Sequence, residues 1–344
     1  MSAPIRIDLA GWTREATFGD HRAFLSIFEE ADRLGFDGVW FNEFHFMDPP
    51  IPYPSTHLLA AAIFARTERL RVGSSVLVLP IHHPLMLAEE IAQLDGQSGG
   101  RLDIGVGRGT SADTFASLGI PHAEARRRFE ASLRIIRAAL TKGRVTSNEG
   151  PWRFPETVIG PGPAQRPHPP IYVAGSTAET LDFALTEDLP LLLSLEPPEG
   201  RQLAIYRSLL ERSGRHGALG RSTLARYVNV APNAAAAEAA LDGLLDALHV
   251  RRLHFAALRG EKPEHVKRPD RETVLRDQFV HGTPEACVAQ IRRLADGTGI
   301  RHLRCIFNGN GVLSNATTLA AMRLFAGEVL PALQEHPPLR AVGD

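Results

Sequence analysis

Two short stretches of the chain combine the residue types that bind a phosphate group. Arg108 lies between two glycines, which leave open surroundings around a guanidinium that never loses its charge. Ser176 and Thr177 follow Gly175 directly before a helical segment, where backbone amides, hydroxyl donors and the positive end of a helix dipole favour phosphate. Each pattern alone is weak evidence, because Ser and Thr are also ordinary helix N-caps.

A carboxylic acid and an imidazole lie two residues apart among aromatic residues in the stretch WFNEFHF. Burial among the phenylalanines would move the pKa values of Glu43 and His45 toward neutrality, which suits general acid or base catalysis. Both residues are equally consistent with a structural role, as hydrogen-bonded groups that close one end of the fold. The sequence leaves these two interpretations open.

Two small hydroxyl residues, Ser74 and Ser75, interrupt the apolar run VGSSVLVLP. Small side chains allow a flat ligand to approach the backbone closely. A β-bulge, or tight packing against a neighbouring helix, would explain the same pattern.

Several other chemistries have no matching pattern in the sequence. His82 and His83 are adjacent, but no acidic or cysteine partner follows at metal-ligand spacing, so we predict no metal site. The G-x-S-x-G spacing occurs at residues 96–100, but there it forms a glycine turn between a predicted helix and a predicted strand, so no nucleophile elbow is predicted. Thr110 replaces the last glycine of a dinucleotide fingerprint, which excludes that motif. Cys287 and Cys305 are expected to be buried thiols of a reducing compartment.

The composition excludes further classes of protein. The chain has 344 residues, 44% hydrophobic and 22% charged, which is typical of a globular protein rather than a disordered or fibrous one. Its 38 Lys and Arg residues against 39 Asp and Glu residues give a net charge of −1, so no overall field attracts nucleic acid or an anionic membrane. No run approaches the roughly 20 apolar residues of a membrane span, and residues 1–9 lack a signal-peptide pattern. We therefore expect a cytoplasmic protein that binds neither nucleic acid nor membrane.

The elements that position these residues follow from hydrophobic periodicity. Short apolar runs alternate with segments of helical period, which is the βα pattern of a parallel sheet. The predicted strands are 5–10, 38–42, 70–79, 102–107, 170–174, 189–193, 224–230 and 303–307. The predicted helices are 20–34, 55–66, 84–94, 123–140, 178–185, 201–213, 284–295 and 316–333. Eight βα units predict an α/β fold, a single (β/α)8 TIM barrel domain over residues 1–344.

Two segments do not fit a bare barrel. Residues 143–169 are rich in proline and contain a turn signal at 148–150, which predicts a hairpin and an irregular crossover after strand four. Residues 232–281 follow strand seven and combine an Ala-rich helix with a charged stretch. Because long excursions after barrel strands lie over the catalytic face, we predict that residues 232–281 form a lid.

The barrel explains how the two phosphate-binding stretches could act together. Strands four and five are neighbours in such a barrel, and Arg108 and Ser176 follow them directly. Both groups would then point to one place. A phosphorylated cofactor lying between them is the favoured interpretation.

At these residues the sequence resembles the bacterial luciferase-like family of flavin-dependent monooxygenases, over nearly the whole chain. The resemblance is carried by WFNEFHF, VGSSVLVLPIHHPLMLAEEIAQLDGQSGGRLDIGVGRG, AGST and GTPEACVAQI. It implies a (β/α)8 barrel that binds reduced FMN at its C-terminal face, with the flavin ring over strand three. The family often has a non-proline cis peptide there, and Ser74-Ser75 matches that position.

The resemblance also implies roles for individual residues. Arg108 and Ser176 match phosphate-contacting positions. Gly175, Thr177 and Thr180 are further expected cofactor-binding residues, together with Ser74 and Ser75 under the ring.

The activity implied by the resemblance is oxygenation of a small organic substrate. Reduced FMN, supplied by a separate flavin reductase, would react with O2 to give a flavin 4a-hydroperoxide, which a lid would keep dry. Light-emitting luciferases usually carry two adjacent histidines after strand two, and the first is their catalytic base. Phe44 occupies that position here, which argues against aldehyde bioluminescence and leaves His45, Glu43 and Asn42 as expected catalytic residues.

Two other functions remain open. One is a deazaflavin-dependent oxidoreductase on the same barrel, and the other is a non-catalytic flavin-binding partner subunit. The resemblance further implies a homodimer or heterodimer that associates through helices two and three.

Overall fold

The computed structural model describes residues 4–12, 20–48, 50–195, 199–215, 217, 219–258, 262–268 and 270–334. Its strands are β1 Arg6–Ala10, β2 Gly38–Phe41, β3 Arg71–Val78, β4 Leu102–Gly107, β5 Arg144–Glu149, β6 Trp152–Val158, β7 Ile171–Val173, β8 Leu224–Val230, β9 Phe279–Gly282 and β10 His302–Ile306. Its helices are α1 His21–Leu34, α2 Thr56–Phe64, α3 Pro84–Ser98, α4 Ala112–Ser117, α5 Ala125–Lys142, α6 Ala178–Thr186, α7 Gly200–Ser213, α8 Ala234–Leu258, α9 Arg271–Gln278, α10 Pro284–Thr298, α11 Asn315–Glu328 and α12 Leu330–Gln334.

The predicted α/β architecture with a mainly parallel sheet is confirmed. Eight strands form one sheet in the order β7-β4-β3-β2-β1-β10-β8-β9, and every pairing in it is parallel. All residues of β2, β4 and β8 are buried, as expected for a parallel sheet that is covered on both faces. Successive side chains alternate between the faces: Val39 and Phe41 join the main core, whereas Trp40 joins a second cluster on the other face.

The predicted strand 189–193 is wrong as a regular strand. Two isolated parallel bridges, Val173 to Leu191 and Leu192 to Thr223, replace it between β7 and the start of β8. The Leu192 amide donates to Val173 O at 2.9 Å, and the Leu193 amide donates to Thr223 O at 3.0 Å. The segment therefore forms backbone hydrogen bonds with β7 on one side and with Thr223 on the other. Each side has a single bridge, which is too few for a regular strand.

The last predicted helix, 316–333, is also corrected. The structure divides it into α11 and α12, with Val329 between them. Pro331 explains the division, because it lacks an amide hydrogen and its ring excludes the carbonyl of the residue four positions earlier.

The two predicted insertions have different structures. Within 143–169, β5 and β6 pair as an antiparallel hairpin, and the Trp152 indole N–H donates to Ser132 of α5 at 2.9 Å. Within 232–281, the structure places α8, α9 and all of β9 except Gly282, while residues 259–261 and 269 lie outside the described residues. Strand β9 pairs in parallel with β8, so the end of this segment belongs to the main sheet, which the periodicity did not predict. Helix α8 supplies four buried leucines to the second cluster, Leu241, Leu244, Leu245 and Leu248. Among the described residues, no helix has both the length and the apolar character needed to cross a membrane.

Candidate cofactor and active site

A cavity of about 340 Å³ opens at the carboxyl ends of β2, β3, β4 and β7. Every residue that the sequence predicts for the site lines this cavity except Ser74. The lining residues predicted from sequence are Asn42, Glu43, His45, Ser75, Arg108, Gly175, Ser176, Thr177 and Thr180. The carboxyl ends of neighbouring parallel strands therefore gather these groups in one place.

Register explains why Arg108 and Ser176 share the cavity. Val106 of β4 pairs with Val173 of β7, and the Ala174 amide donates to Val106 O at 2.9 Å. Continuing this register by two residues places Arg108 beside Gly175. The Arg108 side chain is exposed and forms no ion pair or hydrogen bond with any described residue. A free guanidinium in a cavity wall is suited to bind an anion.

Glycines at the end of β4 allow the strand to pass close to β3. A Cβ on Gly107 would lie 2.6 Å from the Val76 side chain. Gly109 has a φ of +77°, and a Cβ there would lie 2.5 Å from Val78. Larger residues at either position would displace the loop that carries Arg108.

The turn after β7 assigns different tasks to two neighbouring hydroxyls. Thr177 is the N-cap of α6, and its hydroxyl accepts from the Thr180 amide at 3.3 Å. Ser176 is exposed and has no hydrogen-bond partner among the described residues. The structure thus identifies Thr177 as the cap and leaves Ser176 available to a ligand. Gly175 is required here because a Cβ would lie 2.4 Å from the Thr180 methyl group.

At the other end of the cavity, Glu43 accepts three hydrogen bonds. His45 Nε2 lies 3.1 Å and His82 Nε2 lies 2.9 Å from Oε1, and the Val78 amide donates to Oε2 at 2.7 Å. Burial opposes ionisation of Glu43, but the hydrogen bonds from His45, His82 and Val78 and the charge of His82 outweigh it and lower its pKa to about 2. The expected shift of the Glu43 pKa toward neutrality is therefore wrong, and Glu43 is an ionised acceptor at neutral pH.

This geometry fixes the tautomer of His45. An ionised carboxylate only accepts, so Nε2 of each imidazole carries the hydrogen that is donated to Glu43. Burial lowers the pKa of His82, but the hydrogen bond and charge of Glu43 outweigh burial and raise it. Nδ1 of His45 is left as the ring nitrogen that can exchange a proton with a bound molecule.

Sequence reasoning missed His82 as a member of this group. The acidic partner that the local sequence lacks is Glu43, 39 residues away, and the pairing of β2 with β3 brings the two loops together. Only the predicted adjacency of strands two and three could have signalled it. Glu43, His45 and His82 also place one ligand atom each within 4.8 Å of one another, as metal ligands do. The same three side chains are joined by the hydrogen bonds described above, and the expected absence of a metal site stays a prediction.

The two serines within β3 also differ from each other. The Ser74 hydroxyl is buried and bonds to the backbone of Gly105, at 2.9 Å to the carbonyl and 3.0 Å to the amide. The Ser75 hydroxyl donates to Asn42 Oδ1 at 2.7 Å and lines the cavity. The non-proline cis peptide lies between Ser75 and Val76, one residue later than expected.

Comparison with known proteins places this geometry in context. Residues 2–302 match the sequence profile of a family described as luciferase-like monooxygenase. The alkanal monooxygenase alpha chain of the Kryptophanaron alfredi symbiont is 24% identical over 335 residues, which cover 91% of this chain and 93% of that protein. The oxygenase component of the flavin-dependent trigonelline monooxygenase of Acinetobacter baylyi is 36% identical over 157 residues, which cover 45% of this chain and 43% of that protein.

Solved structures share the fold over almost the full length. The oxygenating constituent of 3,6-diketocamphane monooxygenase from Pseudomonas putida, in complex with FMN, aligns with a TM-score of 0.74 and 19% identity, covering 96% of this chain and 99% of that one. An F420-dependent secondary alcohol dehydrogenase aligns with a TM-score of 0.73 and 14% identity, covering 97% and 100%. At these identities the likeness concerns the fold alone.

Proposed function

Because the chain belongs to the luciferase-like monooxygenase family, we propose that it is an oxygenase that uses reduced FMN and O2 to oxygenate a small organic substrate. The single observation that carries the cofactor assignment is the free Arg108 guanidinium in the same cavity as the free Ser176 hydroxyl. An anionic phosphate would satisfy both groups and the amino end of α6.

The cavity fits a flavin nucleotide at both of its ends. Arg108, Ser176 and the glycine turn would hold the phosphate, and Thr177 and Thr180 would border it. Ser75 and Val76 offer a narrow surface at the end of β3 against which a planar ring could lie. Bound reduced flavin supplies two electrons to O2, so that one oxygen atom enters the substrate and the other leaves as water.

The protein's own groups then manage protons and water. Glu43 orients His45 through Nε2, which leaves Nδ1 of His45 as the atom that accepts or returns a proton during oxygen transfer. Asn42 orients the substrate beside Ser75. The remaining wall is largely apolar, formed by Phe44, Met47, Val76, Val78, Ile81 and Phe115, and it favours an apolar substrate.

We further propose that the sheet closes into a barrel and that a lid covers its mouth. The bridges of Leu191 to Val173 and of Leu192 to Thr223 support closure of the eight-stranded sheet between β7 and the start of β8. The leucines of α8 support the assignment of residues 232–281 as a lid over the mouth. We infer that the electrons come from a separate reductase, as the description of the Acinetobacter relative as an oxygenase component suggests.

The proposed assembly is a dimer with an identical or related chain. Leu58 of α2 is 76% exposed and Met86 of α3 is 65% exposed, on the two helices expected to meet a partner. Large exposed apolar side chains on neighbouring helices favour association.

The experiment that tests the proposed function is ligand binding followed by turnover. We expect the purified chain to bind FMN more tightly than riboflavin, and to consume O2 in a substrate-dependent manner when a flavin reductase and NADH are added. Failure to bind FMN in either redox state would overturn the proposal. Turnover by the isolated chain would exclude a non-catalytic subunit.

A second candidate function is hydride transfer with a deazaflavin. The likeness to the F420-dependent dehydrogenase favours it, since the same fold holds that cofactor there. Parallel titrations with FMN and with F420 decide between them, and tighter binding of F420 would select the second function.

A further inference from the structure

A buried glutamine outside the cavity holds the turn that carries Ser176. Gln202 lies in the first turn of α7, is 1% exposed and does not line the cavity. Its Nε2 donates to Gly175 O at 2.7 Å. Its Oε1 accepts from the Ser194 amide at 3.2 Å and from the Ser194 hydroxyl at 2.8 Å.

The orientation of the Gln202 amide follows from its partners. A backbone carbonyl only accepts, and a backbone amide only donates. The Gly175 carbonyl therefore requires the NH2 group, and the Ser194 amide requires the oxygen. Gln202 is thus fixed between the loop after β7 and the segment that bridges to β8.

This hydrogen bond determines the direction of the next peptide group. A trans peptide is planar, and its C=O and N–H point in opposite directions. Since the Gly175 carbonyl points toward Gln202, the Ser176 N–H points away from Gln202. That amide has no hydrogen-bond partner among the described residues.

The turn needs such an external support because its first residue is glycine. Glycine permits rotation of the 175–176 peptide at little steric cost. The close approach of Thr180 prevents replacement of Gly175 by a stiffer residue. Rotation of the peptide would present a carbonyl oxygen, rather than an amide hydrogen, to an anion.

We propose that Gln202 is a positioning residue of the phosphate site, which directs the Ser176 amide into the cavity by holding the Gly175 carbonyl. This inference rests on the proposed function, because it takes the anion to be the phosphate of FMN. Gln202 itself touches neither the cofactor nor the substrate.

The test compares FMN with riboflavin, which lacks the phosphate, in Gln202→Glu and Gln202→Leu. Glu keeps an acceptor for Ser194 but loses the donor to Gly175, whereas Leu removes all three hydrogen bonds at similar volume. We expect the FMN dissociation constant to rise about tenfold in both variants, the effect of losing a hydrogen bond to a charged group. The riboflavin constant should change by less than about twofold.

The matched control is Gln290→Leu. Gln290 holds the backbone of His281 in the same way, with Nε2 donating to the His281 carbonyl at 2.6 Å and Oε1 accepting from the His281 amide at 3.2 Å. Unlike Gly175, His281 does not line the cavity. The dissociation constants of the Gln290→Leu variant for FMN and for riboflavin should match those of the wild type. Circular dichroism and thermal unfolding establish that each variant is folded. If Gln202→Leu does not fold, Gln202→Glu alone provides the test.

The outcomes separate the two claims. Wild-type protein that binds FMN and riboflavin equally would overturn the phosphate site itself. Wild-type protein that prefers FMN, with a preference that the Gln202 variants retain, would overturn only the positioning role. Equal losses for both ligands in the Gln202 variants would also overturn it, because the defect would not be specific to phosphate.

Discussion

The two ends of the cavity differ in how far the protein satisfies its own polar groups. At the acid–base end, Glu43 is buried and accepts hydrogen bonds from two imidazoles and a backbone amide. At the phosphate end, Arg108 and Ser176 have no partner among the described residues. The protein's own hydrogen bonds hold the first end together, whereas under the proposed function a phosphate would complete the second end. Changes at the first should therefore affect chemistry and stability, and changes at the second should affect binding alone.

The largest expected effect is on turnover in His45→Ala. Removing the group that exchanges the proton should slow oxygen transfer by about 100-fold to 10,000-fold, the range for general acid–base catalysis. FMN binding should change little, because the phosphate end is untouched. Stopped-flow measurement of substrate oxygenation and titration with FMN report the two quantities separately.

The control for this variant is His21→Ala, an exposed histidine that contacts Tyr53 rather than the cavity. It should retain wild-type turnover. A His45→Ala enzyme that loses FMN affinity but keeps its rate at saturating flavin would show that His45 has no catalytic role.

The next effect is the acid sensitivity that Glu43 gives to the fold. Because the pKa of Glu43 is lowered from 4.5 to about 2 in the folded protein, its contribution to stability is fully present above pH 4.5. The contribution is lost as the pH falls toward 2, and a shift of this size corresponds to about 3 kcal/mol. In urea unfolding between pH 7 and pH 2, Glu43→Gln should lack this part of the pH dependence.

Glu156→Gln is the matched control, since Glu156 forms an exposed ion pair with Arg144 on the hairpin. Exposed pairs contribute about 1 kcal/mol or less. If Glu43→Gln and Glu156→Gln keep the same dependence on pH, the carboxylate of Glu43 is not a stabilising anion.

At the phosphate end, Arg108→Ala should weaken FMN binding by about 1.5 to 3 kcal/mol, the value of a hydrogen bond to a charged group. Riboflavin binding should be almost unchanged. The free energy of unfolding should stay the same because Arg108 forms no ion pair or hydrogen bond with any described residue. Calorimetric titration with both ligands measures the difference. Arg127→Ala removes another exposed arginine, on α5, and should leave both affinities unchanged. Equal losses for FMN and riboflavin would assign Arg108 a structural role.

The sequence predicts the elements better than it predicts the contacts between them. The βα alternation is enough for the parallel sheet, and the helical period predicts α1 from residue 20, which the structure identifies as its N-cap. The family resemblance is likewise confirmed by the match over residues 2–302. The bridge at 189–193 is not predictable in the same way, because its form depends on the spacing of β7 and β8 and not on its own apolar residues.

The same limit applies within the site. Arg108 and Ser176 can be brought together by reasoning, because adjacent parallel strands end at the same edge. Their roles as ligand contacts stay a prediction. His82 could be found only from the adjacency of strands two and three, and Gln202 cannot be found in this way, since their partners lie 39 and 27 residues away. The tertiary fold determines which groups a buried polar side chain contacts, and the local sequence carries little information about those partners.

The smallest changes in stability and in FMN affinity are expected for the two hydroxyl residues of the turn after β7, Ser176 and Thr177. Thr177→Val removes the cap of α6 and should reduce stability by about 1 kcal/mol, with little loss of FMN affinity. Ser176→Ala should do the reverse, weakening FMN binding by about 1 kcal/mol at unchanged stability. Thermal unfolding and FMN titration of the two single variants test this crossed pattern, and riboflavin is the control ligand. If Ser176→Ala destabilises the protein and spares FMN binding, the two hydroxyls have been assigned the wrong way round. The proposed phosphate site would then lack the Ser176 hydroxyl as a binding group beside Arg108.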